Sequence, residues 1–183
     1  ARGEDPVIYT IGPGNRPLDE SVAMLGEAGI KCLVDVRAFP ASRRHPHFAR
    51  AALEESLPRA GIRYVWEGKA LGGRRKLAKD SPNVALRNSS FRAYADHMAT
   101  GEFHEGIERL LELGRAVPAA VVCAERLPWQ CHRYLISDYL VAGGHPVVHL
   151  VNAGSERAHR LNPIARVREG RPLYDGETQA RLP

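Results

Sequence analysis

The stretch Val7-Ile8-Tyr9-Thr10-Ile11-Gly12-Pro13-Gly14-Asn15-Arg16-Pro17-Leu18 decides the fold class. Its first five residues are β-branched, aromatic or aliphatic, a run of strand length. Gly12-Pro13-Gly14 stops that run. Pro17 suits a first helical turn, and Leu18, Val22 and Leu25 recur at i, i+4 and i+7 before Gly29 closes the helix. A strand feeding into an amphipathic helix is the start of a βαβ unit.

The same alternation continues outward from this stretch. Cys32-Leu33-Val34-Asp35-Val36 reads as a second strand, followed by a basic loop from Arg37 to His47 and a helix over Ala49–Ala60. Arg63-Tyr64-Val65-Trp66 reads as a third strand. Residues 68–90 are rich in Gly, Lys and Arg with weak periodicity and are expected to form a long loop. A helical stretch begins near Ser90-Phe91 and shows a core face at Phe103, Ile107, Leu110 and Leu111. Ala119 to Cys123 is a fourth strand, Cys131 to Ala142 a helix, and Pro146 to Val151 a fifth strand. The tail from Asn152 is polar and irregular, with one small hairpin expected where Ala165-Arg166-Val167 and Pro172-Leu173-Tyr174 flank Glu169-Gly170. Strand–helix alternation predicts an α/β fold: three layers, a mainly parallel sheet of about five strands, and helices on both faces.

Composition bounds the rest. At 183 residues the chain fits one domain, 1–183, with residues 152–183 as a tail packed on it. Apolar residues make up 44%, too many and too clustered for disorder, yet no run reaches the ~20 residues of a membrane span. Three cysteines, Cys32, Cys123 and Cys131, are too few for a disulfide framework, so a cytoplasmic setting is expected. The net charge of +5 is unevenly spread. Residues 31–92 hold 14 basic and five acidic residues, an excess of +9, and the remainder sums to −4. A concentrated positive segment attracts anions, phosphates above all.

In a parallel sheet, ligands gather beyond the carboxyl ends of the strands. There the sequence delivers Gly12 to Asn15, then Asp35 and Arg37, then Glu67, then Cys123 and Glu125. The densest chemistry lies in Cys123-Ala-Glu125-Arg-Leu-Pro-Trp129-Gln-Cys131-His132-Arg133. Cys131 at or near a helix start, beside His132 and Arg133, has surroundings that favour a thiolate. Glu125 is a candidate acid, base or partner for His132. The plainer alternative makes Cys123 a core residue and Glu125–Arg133 a structural ion pair. The spacing fits neither a Cys-x5-Arg phosphatase loop nor a Cys-x-x-Cys redox motif. Zinc has a candidate set in Cys123, Cys131 and His132. No second ligand pair at finger-like spacing accompanies it, and neither metal nor cofactor is expected.

The candidate catalytic residues are therefore Cys123, Glu125, Cys131, His132 and Asp35. The anion is expected to meet Gly12, Asn15, Arg37, Ser42, Arg43, Arg44, Arg133 and Tyr94. Interleaved Phe39, Phe48, Trp66 and Phe91 are candidates for stacking on bases, with core packing as the commoner role. Asp35 beside Arg37 is equally readable as a salt bridge.

Several motifs in one order carry a resemblance. Tyr9-Thr-Ile-Gly12, Asn15-Arg16, Val34-Asp35-Val36-Arg37-Ala-Phe-Pro40, Ser42-Arg43-Arg44, Leu71-Gly72-Gly73, Phe91-Arg92-x-Tyr94-Ala-Asp96 and Cys123-Ala-Glu125 with Cys131-His132-Arg133 resemble domain-of-unknown-function family 488. The likeness runs from Tyr9 to Val151, with His159 and Ala165-Arg166-Val167 also similar. It implies a small bacterial or archaeal α/β protein and transfers positions of interest, not a mechanism. Similar proteins commonly carry a His after Thr-Ile-Gly, where this chain has Pro13.

Two functions have specific support in these residues, and a structural or partner-binding role has none. The first is an enzyme acting on a phosphate-bearing substrate, a nucleotide or nucleic acid, through the Cys/Glu/His/Arg cluster. The second is a non-catalytic nucleic-acid-binding module using the basic 37–92 segment.

Overall fold

A computed structural model describes residues 5–41 and 43–177. Strand β1 (Ile8–Ile11) leads to helix α1 (Leu18–Glu27), β2 (Cys32–Asp35), α2 (Arg50–Arg59) and β3 (Arg63–Trp66). A one-turn helix α3 (Gly68–Leu71), then α4 (Ser89–His97) and α5 (Gly101–Ala116), precede β4 (Ala119–Val122). Helix α6 (Arg133–Ala142), β5 (Val147–Asn152) and β6 (Ser155–Ala158) follow, and β7 (Arg166–Arg168) pairs with β8 (Arg171–Leu173).

The main sheet has the order β3-β2-β4-β1-β5-β6. Its first five members are parallel and β6 is antiparallel to β5. The sixth strand differs from the expected irregular tail. The chain turns at Ala153-Gly154, with Gly154 at φ 72°, and returns along the sheet edge through polar residues that face solvent. An exposed edge strand needs no apolar run, so composition alone does not reveal it. The expected hairpin forms over β7 and β8, its turn held by Glu169 and Gly170 at φ 52° and 73°. The expected helix from residue 90 is two helices: Thr100 caps α5 by accepting from the Phe103 amide.

Side chains alternate between the two faces of the sheet, and each face has its own core. Val34, Ala119, Val121 and Leu135 belong to one apolar cluster with α4, α5 and α6. Leu33, Ala120 and Val122 belong to the other, with Met24 and Leu25 of α1 and Leu53 and Leu57 of α2. Two cores on opposite faces of one sheet are the three layers. The connections after β1 and β2 run to helices on one face, while that after β4, which lies between them, runs to α6 on the other. Loops that part in this way open a crevice at the carboxyl edge, the usual ligand position in parallel sheets. Among the described residues no helix is long and apolar enough to cross a membrane.

Candidate functional site

The crevice is bordered by the two loops that diverge there. Gly14, Asn15 and Arg16 after β1 face Glu125, Arg126 and Gln130 after β4 across a cleft of about 430 Å³. The β1 loop can lie this close because Gly12 has no side chain. A Cβ on it would stand 1.7 Å from the Glu125 carbonyl oxygen and 2.6 Å from Arg133 Nη2. Arg16 is buried beneath the loop, its guanidinium donating to the Gly12 carbonyl at 2.7 Å and to the Val151 carbonyl.

The β4 loop carries both cysteines to one point. Cys123 follows the last residue of β4 and Cys131 lies two residues before α6; both are buried, and their sulfurs are joined as a disulfide. The cysteine count argued against a disulfide framework; the tertiary structure nonetheless pairs two of the three. His132 Nδ1 lies 3.7 Å from Cys123 Sγ and 3.8 Å from Cys131 Sγ. Its Nε2 lies 2.8 Å from the Val36 carbonyl oxygen, which can only accept, so Nε2 carries the hydrogen and the Nδ1 lone pair faces the sulfurs. Burial is the main cause that lowers the His132 pKa to about 4, against the opposing pull of the Val36 and Leu71 backbone. The ring is neutral at neutral pH. Tyr94 packs beside it at 4.9 Å between ring centroids.

Two basic loops run past this centre. Gly73 lies over His132, where a Cβ would stand 3.2 Å from Nδ1. The next residue, Arg74, is exposed and places its guanidinium 5.1 Å from the centre of the Phe39 ring. Phe39 is 69% exposed. An aromatic face and a cation therefore stand at the rim beside the sulfur centre.

The remaining expected residues divide by where the fold sends them. Asp35 is fully buried and is spent on structure: Oδ1 accepts from the Arg37 amide and Nε, and Oδ2 from Arg37 Nη2 and the Tyr64 hydroxyl. Arg37 also donates to the Phe48 carbonyl. The carboxylate and the guanidinium satisfy each other, as the salt-bridge reading of the pair expected. Arg133 is likewise interior. It donates to Thr10 Oγ1 at 3.1 Å and to the carbonyls of Glu125 and Arg126 at 2.9 and 2.8 Å, where an external anion does not reach it. Burial, then the nearby Arg16, lower its pKa to about 10. Tyr94 is buried with its hydroxyl on the Leu71 carbonyl, so it packs the site from within. Glu125 is exposed and lines the cleft, and Arg133 donates to its backbone carbonyl where an ion pair with its carboxylate was the plainer expectation. Arg43 and Arg44 are exposed, and Ser42 lies outside the described residues.

Sequence reasoning missed a buried polar chain behind the crevice. Thr10 and His149 are register partners on β1 and β5, with Oγ1 2.5 Å from Nδ1. His149 Nε2 lies 2.8 Å from His159 Nδ1, and His159 Nε2 lies 2.7 Å from Asp138 Oδ1. A carboxylate only accepts, so every hydrogen in the chain points the same way, from Arg133 through Thr10, His149 and His159 to Asp138. The signal was present as two polar residues, Thr10 and His149, interrupting otherwise apolar strand runs.

These features define the class: a three-layer α/β protein with a cysteine–histidine centre at the carboxyl edge of a parallel sheet. The chain belongs to the family described as domain of unknown function DUF488, whose model matches residues 17–140. No curated protein and no solved structure matches it.

Proposed function

We propose that this protein is an enzyme acting on a phosphate-bearing substrate, a nucleotide or nucleic acid, with Cys123, Cys131 and His132 as its reactive centre. The observation that carries the proposal is the convergence of two sulfurs on one lone-pair nitrogen of a buried, tautomer-fixed imidazole. A cysteine beside a histidine at a strand's carboxyl end is the arrangement of thiol chemistry. In the disulfide form the pair accepts electrons from a thiol; in the dithiol form it supplies a nucleophile. The substrate class rests on the rim: Arg74 for phosphate, Phe39 for a base, and the exposed Arg43 and Arg44 in the neighbouring basic loop. Glu125 and Asn15, across the shared cleft, are the polar groups available to orient a substrate. We place the protein in the cytoplasm of a bacterium or archaeon, where a lone cysteine pair serves chemistry more often than scaffolding.

The test is turnover of a panel of nucleoside mono-, di- and triphosphates and short oligonucleotides by reduced and oxidised protein, read by mass spectrometry. Conversion is expected with wild type and lost in Cys123→Ala and Cys131→Ala. Undiminished conversion in both variants overturns the proposal.

A second reading follows from the exposed Phe39–Arg74 stack: a nucleic-acid-binding module without chemistry. It predicts retention on single-stranded DNA or RNA that weakens steeply with salt and ignores the cysteine substitutions.

A further inference from the structure

We propose that the same three side chains form a zinc site when the cysteine pair is reduced, with Cys123 Sγ, Cys131 Sγ and His132 Nδ1 as protein ligands. The inference adds to the reading above without resting on it, because metal binding is measured with no substrate present.

The donor set is the first argument. Two thiolates and one imidazole match a zinc site with three protein ligands, in which water or substrate supplies the fourth. The second ligand pair absent from the sequence is a requirement of closed, finger-like structural sites only. Two thiolate charges also balance the dication, so the buried centre carries no net charge.

Geometry supplies the second argument. Zinc bonds of about 2.3 Å to sulfur and about 2.0–2.1 Å to nitrogen, at a tetrahedral angle, put nitrogen and sulfur about 3.6 Å apart. The observed separations from Nδ1 are 3.7 and 3.8 Å. Tetrahedral zinc also holds its two sulfurs about 3.8 Å apart. The Cα atoms of Cys123 and Cys131 are 7.1 Å apart, beyond the usual disulfide span of about 4.4–6.8 Å. The backbone is therefore spaced for sulfurs that stand further apart than a disulfide usually holds them.

The outer contacts are those that metal ligands require. His132 Nε2–H is held by the Val36 carbonyl at 2.8 Å, which aims Nδ1 inward, and ligating histidines are almost always oriented in this way. Cys131 Sγ accepts from the Arg133 amide at 3.5 Å, a bond that stabilises a thiolate. Gly73 lies against the ring, and a Cβ there would stand 3.2 Å from Nδ1 and crowd it. Both ends of the site are anchored on regular elements. Loading balances as two thiols and one Zn²⁺ giving a zinc dithiolate and two protons.

The experiment uses the full chain, reduced with a phosphine and kept anaerobic, titrated with cobalt(II) and then zinc. Reduced wild type is expected to develop a saturable thiolate-to-cobalt charge-transfer band and intense visible bands of a tetrahedral centre at one metal per chain. Zinc should abolish them. The oxidised chain should show neither. Cys123→Ser and Cys131→Ser should lose the charge-transfer intensity, and Cys32→Ser, altered in the core at the start of β2, should keep it. Folding of each variant is checked by circular dichroism. Where a variant does not fold, the reduced-against-oxidised comparison in wild type decides alone. A folded, reduced wild type with no saturable cobalt spectrum overturns the proposal, as does a full spectrum in the Cys123→Ser/Cys131→Ser double variant. Either result leaves the turnover test standing by itself.

Discussion

His159 Nε2 donates to Asp138 Oδ1 at 2.7 Å, with both side chains buried between β5, β6 and α6. The carboxylate also accepts from the Tyr174 hydroxyl at 2.6 Å and the Asn162 amide at 3.0 Å. One interior anion thus ties the end of the β6 hairpin and the C-terminal segment to α6. It also terminates the chain of hydrogen bonds that begins at the buried cation Arg133.

Removing that anion strands three donors. Asp138→Ala is expected to lower the unfolding free energy by roughly 3 kcal/mol or more, since each buried unpaired group costs about 1–3 kcal/mol. Tyr174→Phe, which removes a single bond, should cost about 1 kcal/mol. Urea denaturation checks both, and a loss under about 1 kcal/mol for Asp138→Ala would contradict this account.

Acid should weaken the fold through His149. Burial first, then His159 and Arg133, hold its pKa at about 3, against an ordinary value of 6.5. Below pH 6.5 the unfolded chain takes up a proton that the folded chain refuses until about pH 3. The unfolded state therefore binds more protons in this window, and stability falls as pH falls through it. This one group contributes a slope of up to about 1.4 kcal/mol per pH unit. Denaturation midpoints at about pH 7 and about pH 5 should differ accordingly. In His149→Gln the difference should shrink.

Two glycines should respond oppositely to a methyl group. Gly12→Ala drives a Cβ into the Glu125 carbonyl and the Arg133 guanidinium, so the β1 and β4 loops must part. A loss of about 1–3 kcal/mol is expected, together with a changed crevice. Gly26, within α1, has nothing within 4 Å of an added Cβ, and Gly26→Ala should stabilise by up to about 1 kcal/mol. Thermal melts of the pair make the comparison.

Reduction should loosen the chain as well as free the thiols. The disulfide closes a short loop, with its cysteines 8 residues apart in sequence. Loop-closure entropy then predicts a loss of about 2–3 kcal/mol on reduction. Melting with and without a phosphine measures it, and added zinc should restore part of the loss in the reduced chain.

Most of the layer arrangement was legible because it rests on local patterns. Short apolar runs mark β1, β2 and β4, the first of them ended by Gly12, and the i, i+4, i+7 spacing of Leu18, Val22 and Leu25 marks α1. β6 was not legible, because an edge strand of Ser155-Glu156-Arg157-Ala158 has no buried face to announce it. The site divides in the same way. Cys123, Cys131 and His132 were visible as a cluster in sequence, as was the local pairing of Asp35 with Arg37, whereas the bonds of Arg133 to Thr10 and of Asp35 to Tyr64 join residues distant in the chain.

By itself the sequence determined which residues sit at the carboxyl ends of parallel strands, since period-2 and period-3.6 patterns and turn residues act over a few positions. Only the tertiary structure decided which of those residues are available for chemistry. Strand order brings Val36 to His132 and Thr10 to Arg133, and a hydrogen bond between elements far apart in sequence leaves no local trace. Those long-range bonds separate an arginine that holds the fold together from a histidine whose lone pair faces two sulfurs.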